Sequence, residues 1–122
     1  TNAATQMACI AALKGPQDSV ETMRQAFDER RGVIVDLLNA LPGFRCIKPA
    51  GAFYAFPNIA DTGRSAQDLG AALLEECGVA VVHGTSFGAM GEGFLRFSYA
   101  ASMENIREAA ARIDAYLTNQ AP

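Results

Sequence analysis

The chain has 122 residues, half of them hydrophobic, and a formal net charge of -3. This length and composition indicate one globular domain with a core and exclude two domains. Lys and Arg form no cluster, which argues against nucleic acid as a partner. No apolar stretch approaches the roughly 18 residues that span a bilayer, and no charged-then-apolar leader opens the chain. We therefore expect a cytoplasmic protein that binds neither nucleic acid nor membranes.

The first predicted element is a helix over residues 3–13, a run of good helix formers. Apolar or small residues lie on nearly every side of this helix, which is typical of a helix buried on most of its faces. A domain of this size can hardly bury it. Since the chain also starts at Thr1 rather than at Met, we expect it to be part of a longer protein.

A long amphipathic helix is predicted next. Gly15 and Pro16 end the first helix, and Pro16 is expected in the first turn of the second. From Val20 onward apolar residues recur at spacings of three, four and seven, until Pro42-Gly43 ends the pattern.

The rest of the chain predicts four strands and two helices. The helices begin at the N-caps Ser65 and Ser102, and Gly78 ends the first of them. The segments predicted as strands are rich in aromatic or β-branched residues, and they are 44–48, 52–56, 79–82 and 94–99. The order α-α-β-β-α-β-β-α predicts an α+β fold, in which helices cover one side of a small, mainly antiparallel sheet.

Arg96 is the first candidate functional residue, because it lies in the middle of the last predicted strand. Its guanidinium could bind a substrate carboxylate through two parallel hydrogen bonds. Two other interpretations stay open: an arginine on the solvent face of an edge strand, or one paired with an internal Asp or Glu. Strand alternation places Arg96 on the same face as Phe94 and Ser98.

The segment Gly84–Gly93 contains four glycines, which permit close approach of the backbone to a ligand. It lacks both a P-loop ending and a dinucleotide-binding pattern, so a flexible connection is the simpler interpretation. His83 is the only histidine, and a structural role is favoured over a catalytic one. The residues themselves indicate no metal site and no group that would bind a cofactor.

Three cysteines, Cys9, Cys46 and Cys77, lack the spacing of a metal or redox site and are expected to be reduced thiols packed as small hydrophobic residues. The two lysines, Lys14 and Lys48, lie at a helix end and beside a turn. Neither context is typical of a desolvated, activated amine, so no catalytic residue is predicted in this chain.

Four segments in this order and spacing resemble the C-terminal third of the aspartate aminotransferase family, the fold type I pyridoxal-phosphate enzymes. They are TNAATQMACIAAL, GPQDSVETMRQAFDERRGVIVDLLNALPGFRC, PAGAFYAFPNI and GVAVVHGTSFGAMGEGFLRFSYAASMENIREAAARI. The last three are most similar to the bacterial aspartate enzymes.

The resemblance implies that residues 1–14 are a helix of the large cofactor-binding domain, near a homodimer interface, and that residues 15–122 are the small C-terminal domain. Arg96 matches the arginine of the family motif G-x-x-R-x-[SA], which binds the substrate α-carboxylate. Phe53 matches a strand that lines the substrate entrance, although a core aromatic is equally consistent with its position.

The resemblance also implies transamination between aspartate and 2-oxoglutarate by pyridoxal 5'-phosphate in the whole enzyme. The family's Schiff-base lysine and phosphate-binding segment lie upstream of the matching region, so this chain is expected to be inactive alone and to bind no cofactor. It would act as a closing lid that carries the carboxylate clamp. The alternative is a free-standing α+β module for amino-acid binding or dimerisation, which would leave the first helix unexplained.

Overall fold

The structure is a computed structural model that describes residues 1–120. The helices and strands follow the order α1 (Ala3–Lys14), α2 (Asp18–Ala40), β1 (Tyr54–Ala55), α3 (Ala66–Cys77), β2 (Val82–His83), β3 (Leu95–Ser98) and α4 (Met103–Asn119). The strands form one antiparallel sheet in the order β1-β3-β2, with β3 in the centre. The predicted α+β class is confirmed. No helix within residues 1–120 is long and apolar enough to cross a membrane.

One face of the sheet packs against the helices. Ala55 on β1 pairs with Phe97 on β3, and both are buried together with Leu95. Their side chains belong to one hydrophobic cluster with residues from three helices: Ile34, Val35, Leu38, Ala66, Leu69, Leu73, Cys77, Ile106 and Ile113. Because side chains alternate along a strand, Arg96 and Ser98 lie on the other face.

Helices α3 and α4 begin where their capping residues predict. The Ser65 hydroxyl accepts a hydrogen bond from the Asp68 backbone N–H at 3.1 Å, and the Ser102 hydroxyl accepts one from Asn105 at the same distance. These bonds satisfy N–H groups that have no partner inside the helix. Gly78 ends α3 with a φ of 65°, the left-handed conformation that glycine adopts without strain.

The predicted strand over residues 44–48 is wrong. Only Arg45 makes a bridge, to Asn58. The next residue bonds to a helix side chain instead: the Cys46 N–H donates to Asn39 Oδ1 at 2.8 Å, and Asn39 Nδ2 donates to the Cys46 carbonyl at 3.0 Å. The backbone groups that would extend a ladder are thus satisfied by α2, and the sheet has three strands rather than four.

Two other boundaries differ from the predictions. The β-branched run 79–82 contributes only Val82 to β2, since the Val79 N–H completes the end of α3 by donating to the Leu73 carbonyl at 2.9 Å. Pro16 lies outside the second helix, which begins at Asp18. The predicted strands 52–56 and 94–99 are present but shorter than expected.

Helix α1 has no buried residue. Met7, Ile10 and Leu13 are 67%, 50% and 83% exposed. Cys9 lies on this helix and is exposed, so the prediction that all three cysteines are packed is wrong for Cys9. Cys46 and Cys77 are buried free thiols, as expected. The predicted helix therefore forms, but residues 1–120 supply nothing that covers it.

Candidate functional site

Arg96 lies on the central strand, half-buried, on the face of the sheet that turns away from the core. Since β3 has a neighbour on each side, the edge-strand interpretation is excluded. No Asp or Glu within residues 1–120 forms an ion pair with Arg96, so an internal counter-ion is excluded for that part of the chain. Its Nε is buried and has no hydrogen-bond partner there.

Two aromatic rings hold the Arg96 guanidinium. Its central carbon lies 4.4 Å from the centre of the Tyr54 ring and 4.8 Å from the centre of the Phe87 ring. Both distances are within the roughly 6 Å over which a ring face attracts a cation. Tyr54 comes from β1 and Phe87 from the glycine-rich segment, so two parts of the chain that are distant in sequence meet at this arginine.

The segment Gly84–Gly93 is folded rather than a free connection. It forms two short 3₁₀ turns, Gly84–Phe87 and Ala89–Gly91, joined at Gly88 with a φ of 122°. The backbones of Gly84 and Gly91 approach so closely that a Cβ on either residue would overlap the carbonyl oxygen of the other. The glycines therefore allow a tight fold of the segment, and that fold places Phe87 over Arg96.

The aromatic surface continues beyond Phe87. Phe56 stacks on Phe94 with ring centres 5.2 Å apart and planes at 8°, and Phe56 meets Phe87 edge-on at 6.2 Å. Phe56 and Phe87 remain 40% and 56% exposed. Arg96 is thus set in a largely apolar surface, where a charge-assisted hydrogen bond is stronger than in water.

Phe53 immediately precedes β1 and makes no contact with the Arg96 guanidinium comparable to that of Tyr54. Its ring is 41% exposed, packs 6.2 Å from the Phe27 ring, and borders an open groove of about 440 Å³ with Arg24 and Arg31. The core interpretation of Phe53 is therefore wrong. The Phe53 and Tyr54 ring centres are 4.4 Å apart, so Phe53 approaches the Arg96 site only through Tyr54.

The backbone beside Phe53 is held in an unusual conformation. Ala52 has a φ of 62°, which residues other than glycine rarely adopt. The buried Tyr99 hydroxyl donates to the Ala52 carbonyl at 2.8 Å, and the Tyr99 N–H donates to the Phe53 carbonyl at 2.9 Å. Burial raises the pKa of this Tyr99 hydroxyl above its usual value, which keeps it a donor. Tyr99 thereby fixes the start of β1 and the position of Tyr54.

Within residues 1–120 the His83 ring forms hydrogen bonds only with side chains two and three residues away. Its Nδ1 lies 2.6 Å from the Thr85 hydroxyl, and the Ser86 hydroxyl is 3.3 Å from Nε2. No acidic side chain joins this group among the hydrogen bonds of residues 1–120, and no cluster of metal-ligating residues exists in the same range. The geometry favours the structural interpretation of His83.

The sequence interpretation named Arg96 and Phe53 but missed Tyr54 and Phe87. Alternation along β1 and β3 puts Tyr54 and Arg96 on the same face once the pairing of Tyr54 with Ser98 is known. The sequence alone does not give that register. Nothing in the sequence places Phe87 over the arginine, because its position depends on the close contact between Gly84 and Gly91.

The fold and the site define an α+β domain that presents an arginine in contact with two aromatic rings and without a counter-ion inside residues 1–120. The sequence matches the family described as "Aminotransferase class I and II" over residues 1–113. The chain therefore belongs to the class I and II aminotransferases.

Individual relatives of the chain are also aminotransferases. The chain is 46% identical over 121 residues to an aspartate aminotransferase of Geobacillus stearothermophilus, covering 95% of the chain and 30% of that protein. It is 47% identical to an asparagine–oxo-acid transaminase of Streptococcus mutans, covering 93% of the chain and 30% of that protein. An alanine aminotransferase structure from Pyrococcus furiosus superposes with a TM-score of 0.89 at 34% identity, over 94% of this chain and 30% of that one. The chain thus spans less than a third of the length of these relatives.

Proposed function

We propose that this chain supplies the substrate-carboxylate clamp of a pyridoxal-phosphate-dependent aminotransferase that transfers an amino group between aspartate and 2-oxoglutarate. The observation that carries the proposal is Arg96, a half-buried guanidinium held by two rings and lacking a carboxylate partner within residues 1–120. The names of several relatives support aspartate as the amino donor.

A single arginine can serve both halves of such a reaction. The amino acid and the 2-oxo acid each carry a carboxylate on the reacting carbon. The planar guanidinium of Arg96 can bind either carboxylate by donating two parallel N–H···O bonds. The Tyr54 and Phe87 rings attract the guanidinium through their faces and carry no carboxylate, so they do not neutralise the arginine that a substrate carboxylate would bind.

The lysines of this chain do not fit pyridoxal phosphate. Lys14 and Lys48 are both exposed, and an amine that forms a Schiff base is activated by desolvation or a neighbouring charge. We therefore infer that the cofactor, where the whole protein uses one, is held by residues outside these 122. On this inference the chain alone is inactive and binds no cofactor.

The proposed role of the chain is a lid. Residues 15–122 would form the small domain that closes over the substrate and excludes water while Arg96 binds the carboxylate. Phe53 would contribute to the rim of the entrance, consistent with its exposure. Residues 1–14 would belong to the large domain of a homodimer, which agrees with a helix whose apolar side chains nothing in residues 1–120 covers.

The second candidate is a free-standing module that binds an amino acid or dimerises. Arg96, unpaired within residues 1–120, is compatible with it, but the exposed helix α1 counts against a domain that is complete by itself. A module would bind an amino acid in the absence of pyridoxal phosphate and would catalyse no exchange.

The test is Arg96→Ala in the purified aminotransferase that carries these residues. We expect KM for both the amino acid and the 2-oxo acid to rise on the order of 10²-fold, the usual effect of losing a charged, two-pronged contact. Arg96→Lys should also be harmful, because a lysine cannot make the paired contact.

The matched control is Arg45→Ala. Arg45 makes an exposed ion pair with Asp61 at 2.6 Å, so its loss should leave both KM values unchanged. Unchanged kinetics in Arg96→Ala would overturn the proposal. Amino-group transfer that proceeds without pyridoxal phosphate would contradict the proposed cofactor.

A further inference from the structure

We infer that Tyr54 and Phe87 are positioning residues, which hold the Arg96 guanidinium in the orientation that binds a carboxylate. This inference rests on the proposed function of Arg96 and goes beyond it, because it concerns what orients the arginine rather than what the arginine binds. The juxtaposition that carries it is a guanidinium carbon 4.4 Å from the Tyr54 ring centre on β1 and 4.8 Å from the Phe87 ring centre in the segment after β2.

No polar group within residues 1–120 orients the Arg96 guanidinium. Nε of Arg96 is buried without a hydrogen-bond partner in residues 1–120, and no carboxylate in that range forms an ion pair with it. Some other arginines are oriented by acids, as Arg24 is by Glu21 and Arg112 by Glu108. At Arg96 the two ring faces take the place of these acids.

Aromatic rings and acids affect the charge of an arginine differently. An acidic partner would neutralise the guanidinium and compete with a substrate carboxylate for its N–H groups. A ring attracts the cation through its face and leaves those N–H groups free. Tyr54 and Phe87 therefore orient the arginine without occupying the edge that the ligand needs, and they reduce the conformational entropy lost when the ligand binds.

Both rings are held in place by neighbouring residues. Tyr54 packs on Phe53, with ring centres 4.4 Å apart. Phe87 is fixed by the two 3₁₀ turns of the glycine-rich segment and by Phe56. The segment Gly84–Gly93 is thus an element that places one ring, which accounts for the close contact of Gly84 with Gly91.

The experiment compares Tyr54→Leu and Phe87→Leu with the ring-retaining variants Tyr54→Phe and Phe87→Tyr, all in the purified aminotransferase that carries these residues. We expect each leucine variant to raise KM for aspartate and for 2-oxoglutarate roughly three- to tenfold. The ring-retaining variants should keep the original KM values. KM values raised in both ring-retaining variants as much as in the leucine variants would contradict a role for the rings.

A double-mutant cycle separates positioning from structural effects. In an Arg96→Ala background, removal of either ring should change KM by less than about 1.5-fold, since residues that act through one partner are strongly non-additive. The same loss in both backgrounds would mean a structural role and would overturn the inference.

Tyr116→Leu is the matched control. It removes a ring from another arginine, Arg64, which lies 5.8 Å from that ring and 2.7 Å from the Tyr116 hydroxyl. This variant should leave both KM values unchanged. If Arg96→Ala weakens binding and the leucine variants do not, only the present inference fails; if Arg96→Ala has no effect, the proposed function fails.

Discussion

The two faces of strand β3 differ in what they bury. Leu95 and Phe97 point into the helices and are 0% and 7% exposed, inside a continuous apolar cluster. Arg96, between them, points the other way, into aromatic rings that stay half-open to solvent. One face of the strand therefore stabilises the fold, and the other keeps a charge available. In this four-residue strand, alternate residues serve different purposes: Leu95 and Phe97 stabilise the fold, and Arg96 is available for binding.

The largest expected effect lies on the core face. Leu95→Ala should lower the free energy of unfolding by about 2–5 kcal/mol, because it leaves a cavity at a fully buried position. Ser98→Ala on the open face is the control in the same strand, and a change within about 0.5 kcal/mol is expected there. Urea unfolding of the purified protein measures both. Equal decreases in the free energy of unfolding of the two variants would contradict the different roles of the two faces.

A smaller effect is expected in the segment that carries Phe87. Gly84→Ala would push a Cβ into the Gly91 carbonyl oxygen, so the backbone must shift at a cost of about 1–3 kcal/mol. If that segment positions Phe87, amino acid binding should weaken in parallel. Gly51→Ala is the control, since a Cβ there meets nothing within 4 Å. A Gly84→Ala protein with unaltered stability and binding would show that the close contact is unimportant.

The smallest expected effect is a pH dependence of the free energy of unfolding, caused by buried thiols in the core. Burial raises the pKa of the Cys46 and Cys77 thiols, so folding favours their protonated form. Their contribution to stability is complete below the ordinary thiol pKa of about 8.5 and is lost as pH rises through the higher pKa of the folded protein.

The free energy of unfolding should therefore fall above about pH 8.5, and Cys77→Ala should make that fall shallower. Urea unfolding at a series of pH values measures the slope. Cys9, which is exposed, supplies the control variant Cys9→Ala, whose slope should match that of the original protein. A Cys77→Ala slope equal to the original would contradict the assignment.

The sequence predicted the helices better than the sheet. Amphipathic spacing and the side-chain caps Ser65 and Ser102 are local signals, and the structure confirms the helices that they begin. The strand predicted over residues 44–48 failed because the Asn39 side chain takes the backbone bonds of Cys46, a contact across seven residues that composition does not reveal.

The same distinction applies to the site. Arg96 was identifiable from its place among apolar strand residues, and the family motif points to the same residue. Its rings were not identifiable, because Tyr54 reaches it through strand register and Phe87 through the contact between Gly84 and Gly91. Non-local pairing is what single-sequence patterns encode least.

Selectivity for a carboxylate over its uncharged amide reports directly on the role of Arg96. Binding of aspartate and of aspartate α-amide would be measured in the purified aminotransferase and in its Arg96→Ala variant. We expect the original protein to prefer the acid on the order of 10²-fold, and the variant to lose most of that preference. An acid-to-amide ratio that is the same in both proteins would contradict Arg96 as the carboxylate clamp.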